Sequence, residues 1–229
     1  MKALVICILF SVFLSAKDTS ATLLTIENLR YDYIATSQTL DDARISYNLP
    51  GISYLVMSKD YVLLASLKYS KRQSIGSTAL GSIPIGLEQF GWKYELGAGY
   101  KFHLSDKFYV GPALLYSDTY SKIYQTTPLS TTVTEKHDND LRLYGIFGYS
   151  FSKSTLLFGA IELDNDLLES DYANDYSQYP VTITMYQFLS KDFFLFLKYE
   201  QSLRDKKETA TVTGNRNNRG YGFGIGIKL

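Results

Sequence analysis

Few residues in this chain have catalytic chemistry to offer. There are two histidines, His103 and His137, and one cysteine, Cys7. His137 is followed by Asp138, Asn139 and Asp140, and a second acidic group stands at Asp164-Asn165-Asp166. A histidine beside carboxylates can take a proton from water and so serve a hydrolase. Serines are abundant, yet His137 is the one histidine suitably placed for them, and no Ser-His-Asp set stands out. The stretch from Glu162 to Asp175 could hold Ca²⁺ through carboxylates and Asn carbonyls, but it lacks the fixed spacing of a Ca²⁺ loop. There is no Cys/His metal cluster and no phosphate-cradling glycine motif. Polar loops rich in Asp, Asn and Tyr need no catalytic explanation. The expectation is therefore no catalytic site, no metal and no cofactor.

A second set of charges is more telling. Lys68, Lys93, Glu95, Arg142, Glu162, Lys198 and Glu200 each lie within a segment whose apolar and polar residues alternate. Alternation with a period of two puts the two sets on opposite faces of a strand. If the apolar, aromatic face meets lipid, these seven residues point inward at similar height above the nearest short turn. Charges in such a place persist when paired or hydrated. One reading is a salt-bridge layer that fills the interior, with Lys68 against Glu95 and Arg142 against Glu162. The other is a constriction around a narrow water path, slightly favouring anions.

The elements that must carry these charges recur along the chain. Four short polar turns, Ser58-Lys59-Asp60, Leu104-Ser105-Asp106-Lys107, Ser152-Lys153-Ser154 and Ser190-Lys191-Asp192, each separate two alternating segments. About ten strands follow from this: 23–35, 44–57, 60–70, 89–103, 107–123, 139–151, 155–165, 179–189, 193–203 and 218–229. Five longer connections, near 36–43, 71–88, 124–138, 166–178 and 204–217, fall at the opposite end. His137 and the loop Gly214–Gly220, which could touch anionic headgroups, belong to that end, and His103 to the short-turn end. Pro50 and Pro112 interrupt proposed strands, where a missing N–H breaks the ladder and usually implies a bulge. If Pro50-Gly51 were a turn, eight strands would result.

Residues 1–16, MKALVICILFSVFLSA, have the layout of a secretory signal peptide cleaved after Ala16. The mature domain is then 17–229 and contains no thiol, so no disulfide. Near-neutral net charge argues against nucleic acid as a partner.

Signal peptide, alternating strands and the asymmetry of short turns and long loops together define an all-β, antiparallel, up-and-down transmembrane barrel. The final strand carries Tyr221, Phe223, Ile225, Ile227 and Leu229 on one face. It resembles the C-terminal assembly signal of outer-membrane barrels, with Leu229 where an aromatic residue is usual. The chain thus resembles the small outer-membrane β-barrel proteins of Gram-negative-type bacteria. That resemblance implies the cell outer membrane as location, with its lipid, lipopolysaccharide and the barrel assembly machinery as partners. It leaves open a structural or surface-interaction role through the loops, a narrow porin-like pore, and an omptin-like hydrolase. The omptin Asp-x-His order is not reproduced. A soluble periplasmic barrel binding a ligand inside is the architectural rival, and would place its apolar face inward.

Overall fold

The computed structural model describes residues 19–36, 43–80, 82–164, 180–202 and 214–229. The proposed signal peptide and most of the Glu162 to Asp175 stretch lie outside these. Ten antiparallel strands form one closed barrel: β1 (Thr19–Thr36), β2 (Ala43–Ser58), β3 (Tyr61–Leu80), β4 (Ile83–Tyr100, continued by Phe102–His103), β5 (Phe108–Thr126), β6 (Thr131–Ser152), β7 (Thr155–Asp164), β8 (Pro180–Phe188), β9 (Phe193–Ser202) and β10 (Gly214–Lys228). Each strand pairs with its chain neighbours. β10 returns to β1, with Leu23 opposite Lys228 and Arg30 opposite Tyr221. Closure leaves no sheet edge at this seam.

The four short turns stand where their composition put them, and two share one geometry. In Leu104-Ser105-Asp106-Lys107-Phe108 the Leu104 N–H donates to the Phe108 carbonyl at 2.9 Å, and in Leu189-Ser190-Lys191-Asp192-Phe193 the Leu189 N–H does the same to Phe193 at 2.9 Å. The serine hydroxyl in each accepts from the backbone two and three residues on, Ser105 from Lys107 and Phe108, Ser190 from Asp192 and Phe193. A serine bonding its own turn in this way is why such residues punctuate strands.

The outward face is apolar. Ile26, Ile52, Leu67, Leu197, Phe223 and Ile225 are all exposed, Phe223 at 62%. Toward the outer end that face turns aromatic, with Tyr199 beside Tyr221 (centroids 5.4 Å apart) and Trp92 stacked between Tyr94 and Tyr120. An apolar band with aromatic rings at its border is the surface of a lipid-embedded barrel. A soluble barrel would carry these residues inside.

Two expectations are corrected, the outer loops that held His137 and the bulge at Pro112, and one alternative falls away. Segments 71–88 and 124–138 are not long loops. β3 and β4 pair as far as Leu80↔Ile83, and β5 and β6 as far as Thr126↔Thr131. Their β-branched runs, such as Thr131-Thr132-Val133-Thr134, favour strand even where both faces are wet. His137 consequently sits in β6, opposite Tyr120. Pro50 lies within a continuous β2 beside an irregularity in its ladder, as its missing N–H implies, so the turn that would give eight strands is absent. The β1 ladder runs past Pro50, and the β3 ladder shifts register between Ile45 and Gly51. Around Pro112 there is a gap without a bulge. Gly99↔Ala113 and Phe102↔Val110 keep one register, and Lys101 N–H donates instead to Asp60 at 2.7 Å.

Candidate functional site

Inside the barrel the side chains form tiers. Nearest the short turns, Leu23, Leu55, Met57, Val62, Ile146, Tyr186, Phe194 and Phe196 make a buried apolar cluster, with Phe194 only 1% exposed. The glycines of β10 make it possible. A Cβ at Gly226 would collide with the Phe194 ring, and one at Gly224 with the Phe196 ring. The space they leave is thus taken by aromatic rings from β9. Near the floor the Lys101 ammonium donates to the Ser58 carbonyl and lies 5.0 Å from the Tyr109 ring centroid.

Above this cluster comes the charged tier. Glu95 is its hub, 7% exposed. It accepts from the Lys68 ammonium, from Lys93 at 2.6 Å and from the Ser66 hydroxyl at 2.8 Å. Register explains this arrangement, because Ser66 is directly opposite Glu95 and Lys68 opposite Lys93. Arg142 donates to Asp140 at 2.6 Å and to Glu162 at 3.5 Å, and the Tyr144 hydroxyl also donates to Glu162 at 2.9 Å. Six of the seven predicted residues, Lys68, Lys93, Glu95, Arg142, Lys198 and Glu200, line one cavity of about 200 Å³. Glu162 stands behind Arg142 and Tyr144, 2% exposed. Glu27 also belongs to this tier and escaped the sequence reading. It is buried and accepts from Ser53 at 2.7 Å. Its signal was the alternation Leu23, Thr25, Glu27, Leu29, Tyr31. Higher still, Ile45, Ile75, Ile85 and Leu87 form a second apolar cluster with Tyr47.

The β10 face singled out for assembly, Tyr221, Phe223, Ile225, Ile227 and Leu229, lies on the outer wall, with Ile227 opposite Phe193 and Leu229 donating its N–H to Thr22 at 2.9 Å. On another part of the wall His137 Nε2 is 2.7 Å from Asp118, which also accepts from the Tyr94 hydroxyl at 2.9 Å. Asp118 is buried beneath these side chains, and Trp92 and Tyr120 lie edge-on to the imidazole. The pair faces away from the lumen. His103 Nε2 is 2.6 Å from the Lys59 carbonyl, in the short-turn layer. Among the described residues no three His, Cys, Asp or Glu converge to hold a metal ion.

No protein-family model matches the sequence, and no curated protein is significantly similar to it. Solved structures are similar in fold. The translocator domain of autotransporter NalP from Neisseria meningitidis is 9% identical, with 100% of this chain and 96% of that one covered and a TM-score of 0.50. The outer membrane protease OmpT from Escherichia coli is 8% identical, covering 93% and 96%, at 0.54. The COG4313 outer membrane channel from Pseudomonas putida F1 is 11% identical, covering 91% and 95%, at 0.51. A translocator, a protease and a channel share this architecture, so the likeness speaks for the fold and not for one activity. The chain is a closed ten-stranded β-barrel with the fold of the bacterial outer-membrane β-barrel proteins.

Proposed function

We propose that this protein is a sealed outer-membrane barrel with a structural or surface-interaction role, rather than a pore or an enzyme. The observation that carries this reading is the apolar cluster of Leu23, Leu55, Met57, Val62, Ile146, Tyr186, Phe194 and Phe196 at the short-turn end of the lumen. Ions do not cross a packed apolar layer, because removing their hydration costs many kcal/mol. The paired charges above it support the same reading, since Glu95 is saturated by its own lysines. Function then falls to the outer rim, where the β3–β4 and β5–β6 hairpins stand, among lipopolysaccharide. Export through the segment 1–16 and insertion by the barrel assembly machinery, which would read the β10 face, belong to this proposal.

Conductance of the detergent-purified protein in a planar lipid bilayer tests it. Insertion without current steps is the expected outcome. Discrete, reproducible steps would overturn the sealed lumen and make the charged tier a selectivity filter.

A further inference from the structure

The cavity within the barrel differs from end to end. Toward the short turns its wall is apolar, formed by Leu64, Ile146, Phe158 and Phe196. Toward the outer end its wall is charged, and there donors and acceptors do not balance. Each carboxylate is already supplied: Glu27 by the Ser53 hydroxyl at 2.7 Å, Glu95 by two ammonium groups, and Glu200 by the Thr182 hydroxyl at 3.5 Å. One cation is not. Lys68, Lys93 and Arg142 are held in ion pairs, whereas among the described residues no hydrogen bond or ion pair holds the half-buried Lys198 ammonium, which lines the cavity. A spare ammonium over an apolar pocket defines what would bind, because a charged donor makes the stronger hydrogen bonds.

We propose that this cavity is a binding site for a small amphiphilic carboxylate. Its head lies at Lys198, and its tail lies among Leu64, Ile146, Phe158 and Phe196. Size sets the tail length. An apolar cavity of roughly 150 Å³ holds a benzene molecule, so one of about 200 Å³ takes a molecule the size of hexanoate. The apolar floor closes the site toward the short turns. Neither the apolar wall nor the spare ammonium requires a surface partner.

The test is thermal melting of the barrel in a neutral maltoside detergent, titrated with hexanoate, hexanol or hexylammonium. Hexanoate should raise the melting temperature saturably, and the other two should not at equal concentration. Lys198→Gln should weaken hexanoate about tenfold, the worth of one charge-assisted hydrogen bond. Ala160→Leu, which grows a side chain into the cavity, should abolish the response in a barrel whose circular dichroism matches that of wild type. The proposal fails if wild type shows no saturable response, if hexylammonium or hexanol matches hexanoate, or if Lys198→Gln binds as wild type does. Because binding is read from melting, a conducting lumen would not mimic or mask the result.

Discussion

At the scale of single residues, Glu95 matters most. Removing its charge strands two ammonium groups in a desolvated place, where breaking a buried pair costs about 3–5 kcal/mol. Glu95→Gln should therefore lower unfolding stability in lipid vesicles by about 3 kcal/mol, read from urea titration. Glu88→Gln is the matched contrast. It removes the partner of Arg72 in an exposed hairpin pair at 2.5 Å and should cost under about 1 kcal/mol. An equal effect of the two substitutions would show that the charged tier is not a paired layer. The inward placement of Lys68, Lys93 and Glu95 was legible, because a strand's pleat converts sequence parity directly into inside or outside. The Asp118–His137 pair was not, since its partners are 19 residues apart and meet only through register.

At the scale of elements, strands and short turns were legible wherever one face is apolar and the other is not. That contrast vanishes above the membrane, which is why the outer halves of β3–β4 and β5–β6 read as loops. Their cohesion is local. Lys122 is 2.5 Å from Glu135, and the Tyr120 hydroxyl donates to it at 3.2 Å. These hydrogen bonds, the lysine's foremost, hold the Glu135 carboxyl below its ordinary range. A carboxyl so depressed adds stability above its unfolded-state value, near about 4.3, and that contribution is lost as pH falls through the folded value. Amide-exchange protection of the hairpin around Thr126–Thr131 should thus drop on acidification in wild type and stay level in Glu135→Gln. A parallel fall in both would remove Glu135 from the account.

For the whole molecule, the decisive elements are the two rings that β9 sends under the glycines of β10. Phe194→Ala alone should cost about 3–5 kcal/mol, as large-to-small core changes do. The double change Phe194→Ala, Phe196→Ala should add current steps to a barrel otherwise silent in bilayers. Silence in the double variant would mean that the remaining cluster, or the charged tier, seals the lumen unaided. Neither ring was assigned to a plug from sequence, because parity tells which side a residue faces and not how far it reaches across.

The pairing of β1 with β10 also has a consequence in time. Leu23 is made long before Lys228, yet they are partners. Until β10 exists, the β1 edge that faces away from β2 holds amide and carbonyl groups that nothing local can satisfy. Closure therefore waits on a contact between strands far apart in sequence, the circumstance in which folding is slowest. A barrel deprived of β10 loses its schedule as well as its seam. It would remain an open ribbon.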